Sequence, residues 1–144
     1  DGMLTLQYIV KNGKPYIIEI MRRALGNQYF TVADEMNGFP WEEALIRAET
    51  GMDLSVLKHT ESKAKYAGHY GIMANRNGSV KSYSIPESIK SHIFKEIEMI
   101  KPGENINNHL NERIAYIYYK YDNYDEALND VLHMNDNIKI EFKD

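Results

Sequence analysis

No cysteine occurs anywhere in the 144 residues. That excludes a disulfide framework and a thiolate metal site, and it fits a reducing cytoplasm, the expected location. Long apolar runs are also missing. Nothing approaches the roughly 20 residues that a membrane-spanning helix needs, and no basic-then-apolar segment opens the chain. Positive charge is in deficit: 17 Lys and Arg stand against 21 Asp and Glu, a net charge of −4. Neither nucleic acid nor an anionic membrane is therefore expected as the main partner. The chain has no internal repeat, no low-complexity tract and no flexible linker. Glycine-rich phosphate loops and serine or cysteine nucleophile arrangements are absent as well. The five histidines, His59, His69, His92, His109 and His133, show no ligand spacing and read as structural or exposed.

What remains is an ordinary globular composition, with 43% hydrophobic and 26% charged residues, enough for a sizeable core. Met3 to Val10 alternates in polarity, Asn12-Gly13 supplies a turn, and Tyr16 to Met21 is a second β-rich run, which together predict a hairpin. A two-residue loop would set Leu6 against Glu19 and Gln7 against Ile18, mixing polar with apolar. A three-residue loop with Gly13 left-handed pairs odd residues with odd. It puts Gln7, Ile17, Glu19 and Met21 on one face and Leu6, Tyr8, Ile18 and Ile20 on the other, and is the expected form.

Helical spacing follows from Gln28 to Gly38. A second helix starts at Pro40 with Glu42 and Glu43 in its first turn, carries Leu45, Ile46 and Ala48 inward, and closes at Gly51. Residues 54–62 read as a connection. Tyr66–Met73 and Val80–Ile85 flank Asn75-Arg76-Asn77-Gly78, a second hairpin signal. A helical turn from Pro86, a strand from Phe94 to Ile100, and a forced loop at Lys101-Pro102-Gly103-Glu104 come next. Then follow a strand from Arg113 to Tyr121, a helix from Tyr124 to Met134, and a last strand through Ile138, Ile140 and Phe142. Ala127, Leu128, Val131 and Leu132 are the expected buried stripe of that helix. The tyrosines from Tyr116 to Tyr124 are expected to pack against it rather than to stack on bases. The predicted class is α+β, a mainly antiparallel sheet with packed helices.

The segment from Gly2 to Arg23, with Gln7 and Glu19 on two arms of a hairpin and Ile20-Met21-Arg22-Arg23 after the acid, resembles the last core hairpin of ATP-grasp enzymes. Biotin carboxylase, carbamoyl phosphate synthetase and the glycinamide ribonucleotide synthetases are of that kind. In that family one strand carries a glutamate and the next carries Glu-Ile-Asn-Pro-Arg. Gly51-Met52-Asp53-Leu54, Lys101-Pro102-Gly103-Glu104, Arg113-Ile114-Ala115-Tyr116 and Asp125-Glu126-Ala127-Leu128 are similar, in order, to the rest of the family's C-terminal lobe. The resemblance implies a C-terminal piece: residues 1–52 as the last hairpin and helix of the core, and 53–144 as the C-terminal lobe.

By the same resemblance, Glu19 and Gln7 stand at ATP and magnesium ligand positions, and Arg23 stands where an arginine faces acyl-phosphate chemistry. Gln7 replaces a glutamate, Met21 an asparagine and Arg22 a proline, and the continuation Ala24-Leu25-Gly26-Asn27-Gln28 holds a single glycine. Magnesium prefers hard oxygen ligands. Gln7 offers one without charge, and Met21 offers only a thioether. The implied parent is an ATP-dependent carboxylate ligase, forming an acyl phosphate that an amine or similar nucleophile captures. Its partners would be the N-terminal ATP-grasp lobes of the same protein, roughly 150–200 residues with a lysine-bearing strand and a glycine-rich loop, and a small-molecule carboxylate. Self-association into a homo-oligomer is compatible with these expectations. The isolated chain, without an adenine pocket, is not expected to turn over or bind ATP. Two other readings stand beside this one. The first is a non-catalytic ATP-grasp-derived binding or regulatory module. The second is an independent interaction domain whose likeness is convergent.

Overall fold

A computed structural model of the chain describes residues 2–26 and 28–143. Asp1 and Asp144, the ends of the two expected regions, and Asn27 lie outside the described residues. The chain divides into two compact units, residues 1–63 and 64–144. The segment 53–63 goes with the first.

The first unit opens with the hairpin, β1 (Thr5–Lys11) and β2 (Lys14–Met21), followed by α1 (Tyr29–Asn37) and α2 (Trp41–Thr50). Each helix ends on a glycine with positive φ, Gly38 at 65° and Gly51 at 71°, a conformation that a Cβ penalises. Gly38 has a second reason to be glycine. A Cβ there would stand 2.3 Å from the carbonyl oxygen of Thr60. Thr60 in turn donates its N–H (2.8 Å) and its hydroxyl (3.0 Å) to the Gly38 carbonyl. Lys63 N–H donates to the Glu35 carbonyl, which completes the tie of 53–63 to α1. At the start of α2 the Asp34 carboxylate accepts the Trp41 N–H at 3.0 Å, while burial raises the Asp34 pKa above its ordinary value. Ala44 is the buried residue of α2 and Leu45 and Ala48 are half-buried, whereas Ile46, expected inside, faces outward.

The second unit holds two three-stranded antiparallel sheets, β3 (Tyr66–Ile72), β7 (Ala115–Tyr121) and β5 (Ile93–Glu98) in the order β3-β7-β5, and β6 (Asn105–Ile106), β4 (Gly78–Ser84) and β8 (Lys139–Phe142) in the order β6-β4-β8. The α+β class expected from sequence is what is observed. β3 and β4 are not a hairpin, contrary to expectation: they belong to different sheets. The reason lies in Asn77. Its amide donates to the Asn107 carbonyl at 2.7 Å and accepts from the His109 N–H at 2.9 Å, so it is committed to a distant loop instead of a tight turn. The two-residue strand β6 carries too little pattern to be read from sequence.

Two helices complete the unit, the single turn α3 (Glu87–Lys90) and α4 (Tyr124–Asn137). Asn123 caps α4 by accepting the Glu126 N–H at 3.1 Å, as short polar residues do at helix starts. The buried side of α4 is Ala127, Asp130 and Met134. The sequence reading is corrected here, since Leu128, Val131 and Leu132 are exposed. The side chain that decides the rotation is Asp130, which accepts a 2.9 Å hydrogen bond from the Tyr121 hydroxyl in the interior. A buried carboxylate needs such a partner, and meeting it turns Met134 inward and Leu132 outward. Tyr121 also stacks on His92 at 4.0 Å. His92 Nε2 lies 3.2 Å from the Glu126 carboxylate. The core gathers on this side of β7, around Ile72, Val80, Ile89, Ile106, Ile114, Ile117 and Met134. As expected, the tyrosine-rich strand packs under a helix. No helix among the described residues is long and apolar enough to cross a membrane.

Two predictions follow from α4. Met134→Ala should lower stability by about 2–5 kcal/mol, whereas Leu132→Ala should change it by less than about 1 kcal/mol. Urea unfolding of the two variants checks the rotation of the helix. The second concerns alkaline pH. Burial, then the hydrogen bond to Asp130, raises the Tyr121 pKa far above 10. The folded state therefore holds this phenolic proton more tightly than the unfolded state. The stabilisation is fully present below pH 10 and is lost as pH rises through the folded value. In a tyrosinate absorbance titration Tyr121 should ionise among the last of the phenols, and Asp130→Asn should bring its ionisation to lower pH.

Candidate functional site

The hairpin that carries Gln7 and Glu19 starts from a two-residue turn. Asn12 (φ 54°) and Gly13 (φ 73°) both take positive φ, the requirement of the turn that best matches strand twist. From it the strands pair as Lys11 with Lys14, Val10 with Pro15, Ile9 with Tyr16 and Tyr8 with Ile17. Continued unchanged, this register would oppose Gln7 to Ile18. Instead the register shifts between Gln7 and Tyr8, and beyond it Gln7 faces Glu19, Leu6 faces Ile20 and Thr5 faces Met21. Ile18 is the extra residue of a β-bulge.

The expected three-residue loop is thus replaced by a two-residue turn with a bulge six residues later. The expected opposition of Gln7 and Glu19 is reached all the same. Directly opposed residues of an antiparallel pair share a face, so Thr5, Gln7, Glu19 and Met21 form one cluster. Ile17 leaves it: it stands opposite Tyr8, on the side of Leu6 and Ile20.

Glu19 is the only acid in either strand. The cluster therefore offers one anionic carboxylate, one amide, one hydroxyl and one thioether. Among the described residues no group of three His, Asp or Glu side chains converges as a metal site. Thr5, which sequence reasoning passed over, ties this end of the hairpin to the segment after it. Its hydroxyl donates to the Arg23 carbonyl at 2.9 Å. The signal available was its position two residues before Gln7 on the same strand face. Arg23 itself turns locally, with Nη1 donating to the Ala24 carbonyl at 3.0 Å. Its backbone is held at the cluster while its guanidinium is engaged beside its own chain.

Apolar side chains on both faces of this two-stranded sheet lie open. Leu6, Tyr8, Ile9, Val10, Tyr16, Ile17, Ile18 and Ile20 are each about half exposed or more. An isolated two-stranded hairpin is marginal in water, and contiguous apolar surface of this kind marks an interaction face.

One prediction tests the register. Deleting Ile18 removes the bulge and lets the two-residue register run straight through, so the Gln7–Glu19 opposition should survive. Cross-strand amide–amide contacts in NMR spectra, the mark of a hydrogen-bonded pair, should still join positions 7 and 19. Their loss would place the extra residue elsewhere.

No family model and no curated protein matches the chain. Solved structures do. Phosphoribosylglycinamide synthetase from Anaerococcus prevotii is similar over 97% of this chain and 37% of its own, at 17% identity and a TM-score of 0.72. L-amino acid ligase from Bacillus licheniformis is similar over 99% of this chain and 36% of its own, at 18% identity and a TM-score of 0.74. The chain thus spans little more than a third of the length of these enzymes. This chain therefore shares its fold with about a third of each of these two ligase-type enzymes.

Proposed function

We propose that this chain is the C-terminal portion of an ATP-dependent carboxylate ligase, with residues 1–52 completing its catalytic core and 53–144 forming its C-terminal lobe, in a cytoplasmic enzyme. The observation that carries the reading is the direct opposition of Gln7 and Glu19 on a hairpin whose next segment, through Arg23, is anchored to the same cluster by Thr5. The open apolar faces of that hairpin support it, since a core sheet needs neighbours that the described residues do not supply.

The donor set fits magnesium in part. A hard cation accepts the Glu19 carboxylate and the Gln7 amide oxygen, and it commonly completes its shell with phosphates and water. Met21 contributes nothing to it. One ion bound mainly through ATP phosphates is accommodated; a second lacks the charge that a glutamate at position 7 would bring. When bound, magnesium supplies charge neutralisation on the phosphates during transfer. For the chain's own groups, Glu19 orients the ion, Gln7 fills a neutral ligand position, and Arg23 stabilises negative charge on an acyl phosphate. That last role requires the guanidinium to leave the Ala24 carbonyl when substrate arrives. The acceptor is an amine or similar nucleophile.

A second reading is favoured by the same residues. Gln7 and Met21 remove one charge and one oxygen ligand from the positions the fold provides, as in a scaffold kept for binding or regulation after catalysis is lost.

The test belongs to the longer protein. ATP hydrolysis measured against magnesium should demand unusually high free metal. Gln7→Glu with Met21→Asn should lower that demand, and Glu19→Gln should reduce turnover about a hundredfold or more while leaving the thermal midpoint unchanged. No turnover at any magnesium concentration, in parent or double variant, selects the non-catalytic reading. Turnover at low magnesium that ignores Glu19→Gln sinks the site assignment. The 144-residue chain alone should give no measurable heat with ATP and magnesium in calorimetry.

A further inference from the structure

The pair Asn-Gly occurs three times, at Asn12-Gly13, Asn37-Gly38 and Asn77-Gly78. In such a pair the asparagine carboxamide is open to attack by the backbone nitrogen that follows it. Glycine brings no side chain to obstruct the approach and leaves φ and ψ free. The covalent chemistry is the same at all three. Attack requires the nitrogen to come within about 3–3.5 Å of Cγ along a suitable line, so the surrounding structure decides which of the three reacts.

Two of them are tied down. At the end of α1, Asn37 Oδ1 accepts the Phe39 N–H at 3.2 Å and the Trp41 indole N–H at 3.1 Å. The nitrogen that would attack it, Gly38 N, donates to the Asp34 carbonyl at 2.9 Å, and Gly38 is buried against the Thr60 backbone. Asn77 is held at both ends of its carboxamide. The nitrogen donates to the Asn107 carbonyl at 2.7 Å, and Oδ1 accepts the His109 N–H at 2.9 Å and stands 2.8 Å from His109 Nδ1. Gly78 is already part of β4, paired with Ile106. Asn12 is held by nothing comparable. It lies exposed at the tip of the first hairpin, and its carboxamide has no hydrogen-bond partner among the described residues. Beyond the chain neighbours, no heavy atom lies within 4 Å of where a Gly13 Cβ would stand. A tight turn closes through the carbonyl of its first residue and the N–H of its fourth, which leaves the Gly13 N–H unused.

We propose that Asn12 is a spontaneous modification site of this chain, converted by water to an aspartyl or isoaspartyl residue, while Asn37 and Asn77 are protected by their hydrogen bonds. The Gly13 nitrogen gives up its proton and bonds to Asn12 Cγ, the Cγ–Nδ2 bond breaks, and Nδ2 leaves as ammonia with a proton. Water then opens the resulting succinimide. Cleavage of the new bond at Cγ leaves an aspartyl residue, and cleavage at the main-chain carbonyl leaves an isoaspartyl residue whose chain runs through Cγ. No oxidant or reductant takes part. Reaching the attack geometry opens the turn alone, in a hairpin of only two strands, which is marginal in water and frays at its tip. Lys11 and Lys14, paired across the turn, favour the reaction further. Two like charges directly opposite each other are unfavourable. The negative charge that develops on the carboxamide, and that the product keeps as a carboxylate, relieves them. The isoaspartyl product also adds one carbon to the main chain between the strands, so the two-residue turn is not kept.

The experiment ages the 144-residue chain at mildly alkaline pH and physiological temperature, natively folded and in guanidinium chloride. Peptide mapping by mass spectrometry follows the three asparagines separately, and labelling with a protein-isoaspartyl methyltransferase counts the isoaspartyl product. In denaturant all three should react at similar rates. In the folded chain Asn12 should react about tenfold or more faster than either of the others, whose attack awaits a larger opening of the structure. Methyl label should then map to residue 12, and Asn12→Ser should remove it. Native rates at Asn37 or Asn77 that equal the rate at Asn12 overturn the proposal. So does a folded chain in which Asn12 stays intact while all three react in denaturant. None of these outcomes depends on ATP turnover, so failure here is distinct from failure of the ligase reading.

Discussion

The second unit depends on one buried hydrogen bond, from the Tyr121 hydroxyl to the Asp130 carboxylate. A carboxylate in an apolar interior is tolerated only when its oxygens are met, and this one is met from the end of the central strand β7. The contact fixes α4 in rotation and position together, since a turn of the helix in either direction would carry the Asp130 carboxylate away from the Tyr121 hydroxyl. Tyr121 is held in turn by the His92 ring, and His92 by Glu126 on α4. The loop closes on itself: helix, central strand and the segment leading into β5 each position the next.

A different constraint governs the first unit, the parity of the β-pleat. Side chains alternate strictly, so a hairpin can bring two named residues opposite each other on one face only if the residue count between them is right. The count from Gln7 to Glu19 does not suit the tight turn that Asn12-Gly13 forms. One additional residue, Ile18, reconciles them. The site end and the turn end of the hairpin thus keep separate registers, and each is free to satisfy its own local chemistry.

Much of this was legible in the sequence where one local signal decided the outcome. Gly38 and Gly51 announced the ends of α1 and α2, and Asn12-Gly13 announced the first hairpin. The opposition of Gln7 and Glu19 could be inferred from the need to match polar with polar, although the means, a bulge rather than a longer loop, could not. Where the sequence misled, a distant partner had overruled a local pattern. Asn77 looked like a turn residue and serves a loop some thirty positions away. Leu128 and Leu132 looked like core by periodicity, until a buried acid that hydropathy places outside turned the helix by one sector. The roles proposed for Glu19 and Arg23 rest on order and spacing along the whole chain, because among the described residues no three ligating side chains converge as a metal site.

Gly38 has a consequence beyond ending a helix. Its carbonyl takes two hydrogen bonds from Thr60, 22 positions along the chain, and its missing side chain is what lets the Thr60 backbone descend onto it. Closing a loop of that length carries an entropic cost that grows only slowly with added residues, so the junction gains little from a shorter connection and much from a rigid α2 between its ends. The end of α1, the whole of α2 and the extended segment behind it are therefore one cooperative element. They open together or not at all, and a disturbance at the end of α1 is felt at residues 60–63 as loss of order, although the intervening chain makes every local contact it made before.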